Sequence, residues 1–279
     1  MIGVIGATRF IGKFVVDELI RAAESVTWFV RDPEKASGLV HRDVQIRACD
    51  LEKMPDRLPQ VDCVVCVAPI RMADAVIEFC ESVGARRAVF LSSTWRHSRY
   101  RTAQVEDVVR GEETVMASDL VWTILRPTMI YGPGDRNVSV LRTHIVGSRL
   151  LPVIGSGECL VQPVFVEDLA IAISSAVCRR SAHYKCFDIC GPDAMTFSKM
   201  LDEIASDVDR HPFKIYIPLF AARAIAWGLE KFTANPWVTL DRVRRMSEDR
   251  NFDIRETTEG LGTFPCSFAE GLKRAAALE

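Results

Sequence analysis

The first twenty residues, MIGVIGATRFIGKFVVDELI, constrain the fold more than any other stretch of the chain. A short apolar run at 2–5 ends at Gly6 and leads directly into a segment whose apolar residues recur at helical spacing. A strand, a glycine turn and a helix in this order form the phosphate-binding turn of dinucleotide-binding α/β domains. Gly6 and Gly12 occupy the first and last glycine positions of that turn, and Arg9 stands where the middle glycine is usual.

The pattern of the opening repeats along the first half of the chain. Apolar, β-branched runs alternate with helical segments, which predicts a doubly wound parallel sheet, a Rossmann-type α/β fold. After residue 131 the chain becomes rich in turns, and beyond Gly191 it is mainly helical and interrupted by prolines. We therefore expect an NAD(P)-binding Rossmann domain over 1–190 with a cap insertion near 132–158, and a small, mainly helical substrate-binding cap over 191–279. Strands are predicted near 2–5, 26–30, 44–48, 61–67, 86–91 and 121–125.

Composition narrows the class of ligand. The 279 residues carry a formal net charge of -2, so the chain has no basic excess for a nucleic-acid backbone, and a small-molecule substrate is expected.

No apolar run reaches 18 residues, which predicts no membrane span. Nine scattered cysteines and no secretory leader favour a cytoplasmic protein with reduced thiols. The pair Cys63 and Cys66 is interpreted as core packing, because residues three apart on a strand face opposite sides. The histidines lack metal-ligand spacing, so no metal is expected, and a homo-oligomer stays open.

Several short motifs occur in an order that points to one family. They are GATRFIG, VRDPEKA, ACDLE, VFLSST, WTILRPTMIYGPGD, QPVFVEDLA and LGTFPCSFAEGL. In this order the chain resembles the extended and atypical short-chain dehydrogenase/reductase superfamily, which includes the epimerase/dehydratase-like proteins, along nearly its whole length. The resemblance implies NAD(P) binding. It places the cofactor against the turn, the ends of the third and fourth strands and the segment after the fifth, that is against Gly6, Thr8, Arg9, Phe10, Ile11, Gly12, Asp50, Leu51, Ala68, Pro69 and Ser92.

Two charged residues at the second and third strand ends have alternative interpretations. Arg31 lies where NAD-specific relatives carry an acid, and a guanidinium there would pair with a 2'-phosphate, which favours NADP(H) over NAD(H). Alternatively, Arg31 is simply exposed and Asp32 binds the ribose, although Asp32 before Pro33 is also typical of a helix N-cap. Asp50 either contacts the adenine or caps a local helix.

The catalytic residues of the superfamily are only partly present. Thr94 falls at the position of the family's Ser or Thr, with a turn-capping hydroxyl as the alternative. The family's Tyr and Lys would fall near Gln104 and Val108, and neither residue can transfer a proton. Tyr100 is the remaining tyrosine of this segment and is the second candidate, and His97 is a substitute acid or base whose alternative is a solvated surface side chain.

Four further residues receive structural or pocket roles. Arg126 is expected to anchor the end of its strand, and Tyr131 to line the pocket. Gln162 and Asp168 are interpreted as architectural, with Asp168 in the first turns of a helix, where negative charge is favoured.

The expected function is an NADP(H)-binding atypical short-chain dehydrogenase/reductase, a nucleotide-sugar epimerase-like oxidoreductase without the usual Tyr-Lys pair. The missing pair motivates an alternative from another class, a non-catalytic NADP(H)-binding redox sensor or assembly factor. The near full-length resemblance favours the enzyme.

Overall fold

A computed structural model describes residues 1–6, 10–22, 25–34, 44–55, 57–233, 239–246 and 248–278. Its centre is a seven-stranded parallel sheet in the order β3-β2-β1-β4-β5-β6-β11. The strands are β1 (Ile2–Ile5), β2 (Val26–Val30), β3 (Gln45–Ala48), β4 (Cys63–Cys66), β5 (Arg87–Leu91), β6 (Val121–Pro127), β7 (Ile130–Tyr131), β8 (Leu150–Ile154), β9 (Leu160–Val161), β10 (Val164–Phe165), β11 (Lys185–Ile189), β12 (Met195–Thr196) and β13 (Phe213–Ile217).

Helices cover both faces of this sheet and form much of the C-terminal region. The described α-helices are α1 (Phe10–Arg21), α2 (Ala73–Ser82), α3 (Ala103–Met116), α4 (Val138–Gly147), α5 (Val166–Cys178), α6 (Phe197–Asp207), α7 (Leu219–Phe232), α8 (Leu240–Arg245), α9 (Arg255–Leu261) and α10 (Phe268–Leu278). Short 3-10 helices stand at Ile70–Met72, Thr94–His97 and Arg180–Ala182. The predicted doubly wound parallel sheet with C-terminal helices is thus confirmed.

The two faces of the sheet bury separate apolar clusters. On one face, the inner sides of α1 and α5 pack against residues such as Val4 and Cys63. On the other face, α2 and α3 pack against residues such as Val64 and Cys66. Cys63 and Cys66 therefore lie on opposite sides of β4 as the strand period predicts, and burial raises the pKa of the Cys66 thiol to about 12.

The turn-rich stretch after β7 and the C-terminal region form short sheets together. β8 pairs in parallel with β13, and β9 pairs with β12. α4 packs on α6, and both contribute to a third apolar cluster with α10. The two segments predicted to cap the sheet are thus in contact. No helix in the described part of the chain is long and apolar enough to cross a lipid bilayer.

Candidate cofactor and active site

The carboxyl ends of the parallel strands place most of the predicted site residues along one edge of the sheet. The chain order reverses between β1 and its neighbour β4, and ligands of open α/β sheets bind in the crevice at such a point. Gly6 follows β1, Ala68 follows β4, and Arg31 and Asp50 follow β2 and β3 on one side. Ser92 follows β5 on the other side. The structure thus brings these predicted cofactor contacts to one edge of the sheet.

Gly6 provides the close backbone approach that such a ligand needs. Its φ is +79°, and a Cβ atom built on it would lie 2.5 Å from the backbone nitrogen of Ala68. A side chain would therefore fill the cradle between the ends of β1 and β4. Gly12 is buried in the first turn of α1, next to the half-buried Phe10 and Ile11. The predicted ligand contacts Thr8 and Arg9 lie outside the described residues.

The side of the edge formed by β2 and β3 carries the predicted adenosine contacts. Arg31 is exposed directly after β2. Asp50 follows β3, and its Oδ1 accepts a hydrogen bond from the backbone N–H of Glu52 at 3.1 Å. A turn, not a helix, follows at Leu51 and Glu52, so the structural alternative for Asp50 is an Asx-type turn and not the expected helix cap. The second Asp50 carboxylate oxygen takes no part in that hydrogen bond.

The opposite side of the edge holds three hydroxyl residues after β5. Ala68 and Pro69 form the wall next to them, Ala68 buried and Pro69 exposed. Ser93 Oγ accepts from the backbone N–H of Trp95 at 3.2 Å and starts the 3-10 helix. The buried Thr94 donates its hydroxyl to the carbonyl oxygen of Pro127 at 3.2 Å, which ties the segment to the end of β6.

A buried ion cluster lies behind these hydroxyls. Glu112 on α3 is fully buried, and its Oε1 accepts from Ser92 Oγ at 2.5 Å. Arg126 on β6 donates two hydrogen bonds to the same carboxylate, at 2.9 and 2.7 Å, and Arg96 Nε stands 3.4 Å from it. Burial by itself would lower the pKa of the Arg126 guanidinium, but the hydrogen bonds and charge of Glu112 raise it above its usual value. The cluster clamps β5, α3 and β6 together at the strand ends.

The positions expected for the family's Tyr and Lys lie on α3. Gln104 is exposed in its first turn, and Val108 is buried in the core. Tyr100 lies in the loop before α3 and is half-buried, and its backbone N–H donates to Ser98 Oγ at 3.2 Å. The hydrogen bonds that surround Ser92 and Glu112 in the described part of the chain do not include the Tyr100 hydroxyl.

His97 occupies a more structured environment than a surface loop. Its Nε2 lies 3.0 Å from Oδ1 of Asp188 on β11, and its ring centroid is 5.4 Å from that of Phe252. Its side chain is nevertheless partly open to solvent. The Asp188 carboxylate and the Phe252 ring therefore fix the position of the His97 imidazole.

Tyr131 differs from its expected role as a pocket residue. Its ring is buried between Phe165 and Phe268, its hydroxyl donates to the carbonyl oxygen of Phe268 at 3.3 Å, and burial raises its pKa. Gln162 donates to Gly191 O at 2.7 Å and accepts from the N–H of Phe252 at 2.8 Å, so it joins separate loops.

Glu112 is the site residue that the sequence interpretation left out. The inner face of α3 carries Val105, Val108 and Val115 at helical spacing, and Glu112 interrupts this apolar stripe. A carboxylate in such a stripe requires a buried partner. That interruption is the signal that could have identified it, with Arg126 as one of its partners.

The fold and this edge define a dinucleotide-binding protein of the Rossmann class. The family model described as NAD(P)H-binding matches residues 6–147, which is half of the chain. The chain therefore belongs to the NAD(P)H-binding family, in agreement with the resemblance seen in the motifs.

Curated relatives include both an enzyme and a subunit of a large complex. An NAD(P)H azoreductase from Xenophilus azovorans is 24% identical over 237 residues, covering 82% of this chain and 81% of the relative. Subunit 9 of the NADH dehydrogenase (ubiquinone) 1 alpha subcomplex from Mus musculus is 23% identical over 285 residues, covering 87% and 70%. The counterpart from Arabidopsis thaliana is 30% identical over 117 residues, but this chain spans only 29% of its length.

Solved structures share the fold over the whole chain. An NADPH-dependent quinone oxidoreductase from Escherichia coli, solved with NADPH, has a TM-score of 0.78 at 17% identity, covering 98% of this chain and 99% of that one. MoeE5, solved with UDP-glucose and NAD, has a TM-score of 0.75 at 19% identity, covering 100% and 99%. These structures show that the whole chain has the fold of NAD(P)-binding proteins of the Rossmann class.

Proposed function

We propose that the protein is an NADP(H)-dependent reductase of small conjugated acceptors of the quinone or azo type. The observation that carries this proposal is the composition of α3. Gln104 is exposed and Val108 is buried where a proton-transferring Tyr and Lys would stand. Interconversion of a sugar hydroxyl and a ketone requires a side chain that removes the hydroxyl proton as the hydride moves. Reduction of a quinone does not, because the reduced oxygen takes its protons from water.

The chain's own residues supply positioning and charge. When bound, reduced nicotinamide supplies a hydride, which carries two electrons and one proton. Arg96 and Arg126 both contact the buried carboxylate of Glu112 next to Ser92, and Arg96 also lies 3.9 Å from Glu113. The Arg96 guanidinium, whose side chain is 29% exposed, would stabilise negative charge that develops on an acceptor oxygen beside Ser92. The reduced acceptor then takes its second proton from solvent.

The preference for NADP(H) is proposed from Arg31. Its guanidinium is exposed at the end of β2, one strand from Gly6, where a 2'-phosphate can form charge-assisted hydrogen bonds. Calorimetric titration of NADPH and NADH tests this. We expect Arg31→Ala to weaken NADPH binding by about tenfold to a hundredfold and to leave NADH binding unchanged. Arg47→Ala, an exposed arginine on the adjacent strand β3, is the matched control.

Turnover is tested with NADPH and a panel of quinones, azo dyes and nucleotide sugars. We expect loss of NADPH absorbance with a quinone or azo dye, and no epimerisation of a UDP-sugar. Thr94 and Tyr100 are the catalytic candidates from the sequence, and the proposed reduction assigns no proton transfer to Tyr100. We therefore expect Tyr100→Phe to lower kcat by less than about threefold.

Two results would redirect the assignment. Turnover of a nucleotide sugar, lost in Tyr100→Phe, would restore the expected epimerase-like chemistry. Tight NADPH binding without turnover of any acceptor would favour the alternative of a redox sensor or assembly factor.

A further inference from the structure

The helix α7 exposes more apolar volume than it buries. Its inner side buries the small residues Ala222 and Ala226. On its outer side, Phe220 is 76% exposed and Trp227, seven residues later, is 58% exposed. A helix that is apolar on all sides is normally buried, but the described residues place no apolar partner on the outer face of α7.

The two-stranded sheet of β8 and β13 continues this exposed surface. Residues paired across the two strands point to the same side of the sheet. The pairs on this side are Phe213 with Leu150, Ile215 with Pro152 and Ile217 with Ile154. Ile154 and Ile217 pack against the buried alanines of α7. α7 therefore lies over one end of this apolar face.

The other end of the same face is open beside α7. Phe213 is 72% exposed there. Because the inner side of α7 packs over one end of this face, its outer side faces the same way as the open end. We call the combined area the α7 surface, formed by Leu150, Pro152, Phe213, Ile215, Phe220 and Trp227.

Basic side chains border the α7 surface. The segment 210–232 contains four Lys and Arg and one Glu, although the whole chain has a net charge of -2. One of the four, Lys214, pairs with Asp202 on the other side of β13, so it is not part of this border. Arg149, Arg210, Arg223 and Lys231 are exposed, and Lys231 Nζ lies 5.2 Å from the centroid of the Trp227 ring. The acid of the segment, Glu230, accepts a hydrogen bond from the backbone N–H of Leu240 at 2.8 Å.

We propose that the α7 surface docks on an anionic lipid membrane, with α7 lying in the headgroup region. Aromatic side chains on one face, bordered by Lys and Arg, are typical of helices that lie in the membrane interface without crossing it. Trp227 suits that layer because its ring is apolar and its N–H is polar. A symmetric dimer through the same surface would bring the equivalent basic residues of two copies together, which disfavours that occupant. The proposal does not depend on the proposed reductase activity.

Vesicle binding of the full chain tests the proposal. The probes are sedimenting vesicles of phosphatidylcholine alone and of phosphatidylcholine mixed with phosphatidylglycerol. We expect binding to the mixed vesicles only, and a blue shift of the Trp227 emission, obtained as the difference between the wild type and Trp227→Phe. Without binding of the wild type to the mixed vesicles, the proposal is wrong.

Variants separate the apolar and charge contributions. Phe220→Ser with Trp227→Ser removes exposed side chains and leaves the buried side of α7 intact, and we expect binding to weaken by roughly tenfold or more. Arg223→Gln with Lys231→Gln is expected to weaken it by about 25-fold, since each cation near an anionic surface contributes about fivefold. Phe264→Ser, at a residue that is 83% exposed outside the α7 surface, is the matched control.

The remaining outcomes contradict the proposal. Equal loss of binding in Phe264→Ser would mean that the association is not specific to the α7 surface. A dimer in light scattering that Phe220→Ser with Trp227→Ser dissociates, together with no vesicle binding, would assign the surface to contacts between copies of the chain.

Discussion

Gly6 and Gly84 distinguish two reasons for a glycine with positive φ. Their φ angles are +79° and +69°, but a Cβ at Gly84 meets nothing within 4 Å, whereas one at Gly6 meets the backbone of Ala68. We expect Gly84→Ala to cost only the backbone strain of about 1–2 kcal/mol and to leave NADPH affinity unchanged. Gly6→Ala also displaces the end of β4, so it should lower NADPH affinity by more than roughly tenfold in calorimetric titration. Equal effects of the two variants on NADPH affinity would contradict a cofactor site at Gly6, between the ends of β1 and β4.

Glu112 and Glu113 are adjacent acids with opposite surroundings. Glu112 is fully buried between Ser92, Arg96 and Arg126, and the side chain of Glu113 is mostly in solvent. Glu112→Gln keeps the shape of the side chain but leaves the buried guanidinium of Arg126 without its counter-charge. We expect it to lower the free energy of unfolding by about 3–5 kcal/mol in urea denaturation.

Glu113→Gln is the matched control for that measurement. It should change the free energy of unfolding by less than about 0.5 kcal/mol, as is usual for an exposed charge. Similar values for both variants would mean that the buried cluster does not stabilise the strand ends.

Helix α3 approaches the 3-10 helix Ile70–Met72 through Gly111. A Cβ at Gly111 would overlap the carbonyl oxygen of Ile70, a backbone atom that cannot rotate away. We expect Gly111→Ala to lower the midpoint of thermal unfolding and to cost about 1–3 kcal/mol or more. Gly228→Ala in α7, where a Cβ meets nothing within 4 Å, should raise stability by up to about 1 kcal/mol. A neutral Gly111→Ala would show that α3 can move away at no cost.

Secondary structure could be predicted closely where burial and pairing coincide. β1 and β2 match the predicted strands to the residue because every position is buried and paired. The fourth strand was predicted over 61–67 but pairs only over Cys63–Cys66. Val61 is buried but lies outside the strand. The apolar pattern therefore predicted which residues are buried, and it extended past the residues that form strand hydrogen bonds.

Contacts between distant segments limited what the sequence could predict of the site. The strand order and the family resemblance together placed Gly6, Arg31 and Ala68 at the ends of neighbouring strands, where the structure has them. The hydrogen bonds of Glu112 to Ser92 and Arg126 could not be predicted from the sequence. They depend on how α3 packs against β5 and β6. Similarly, α7 is apolar on both sides in the sequence, and only the packing shows that Ala222 and Ala226 face inward.

Buried thiols give the stability of the fold a defined response to alkaline pH. Burial raises the pKa of Cys66 and of Cys190 from the usual value of 9.0 to about 12. Above pH 9 the unfolded chain has lost these protons and the folded chain has kept them, so the unfolded state binds fewer protons and stability falls as pH rises from 9 to 12. Below pH 9 both states keep the protons, and the contribution of the thiols to the free energy of unfolding is constant.

We expect urea denaturation to show that the free energy of unfolding falls between pH 9 and 12. The fall should be shallower in Cys66→Ala, which lacks one of the thiols. Cys178→Ala, at an exposed thiol, is the matched control and should retain the full slope. A slope unchanged in Cys66→Ala would mean that other groups cause the alkaline loss of stability.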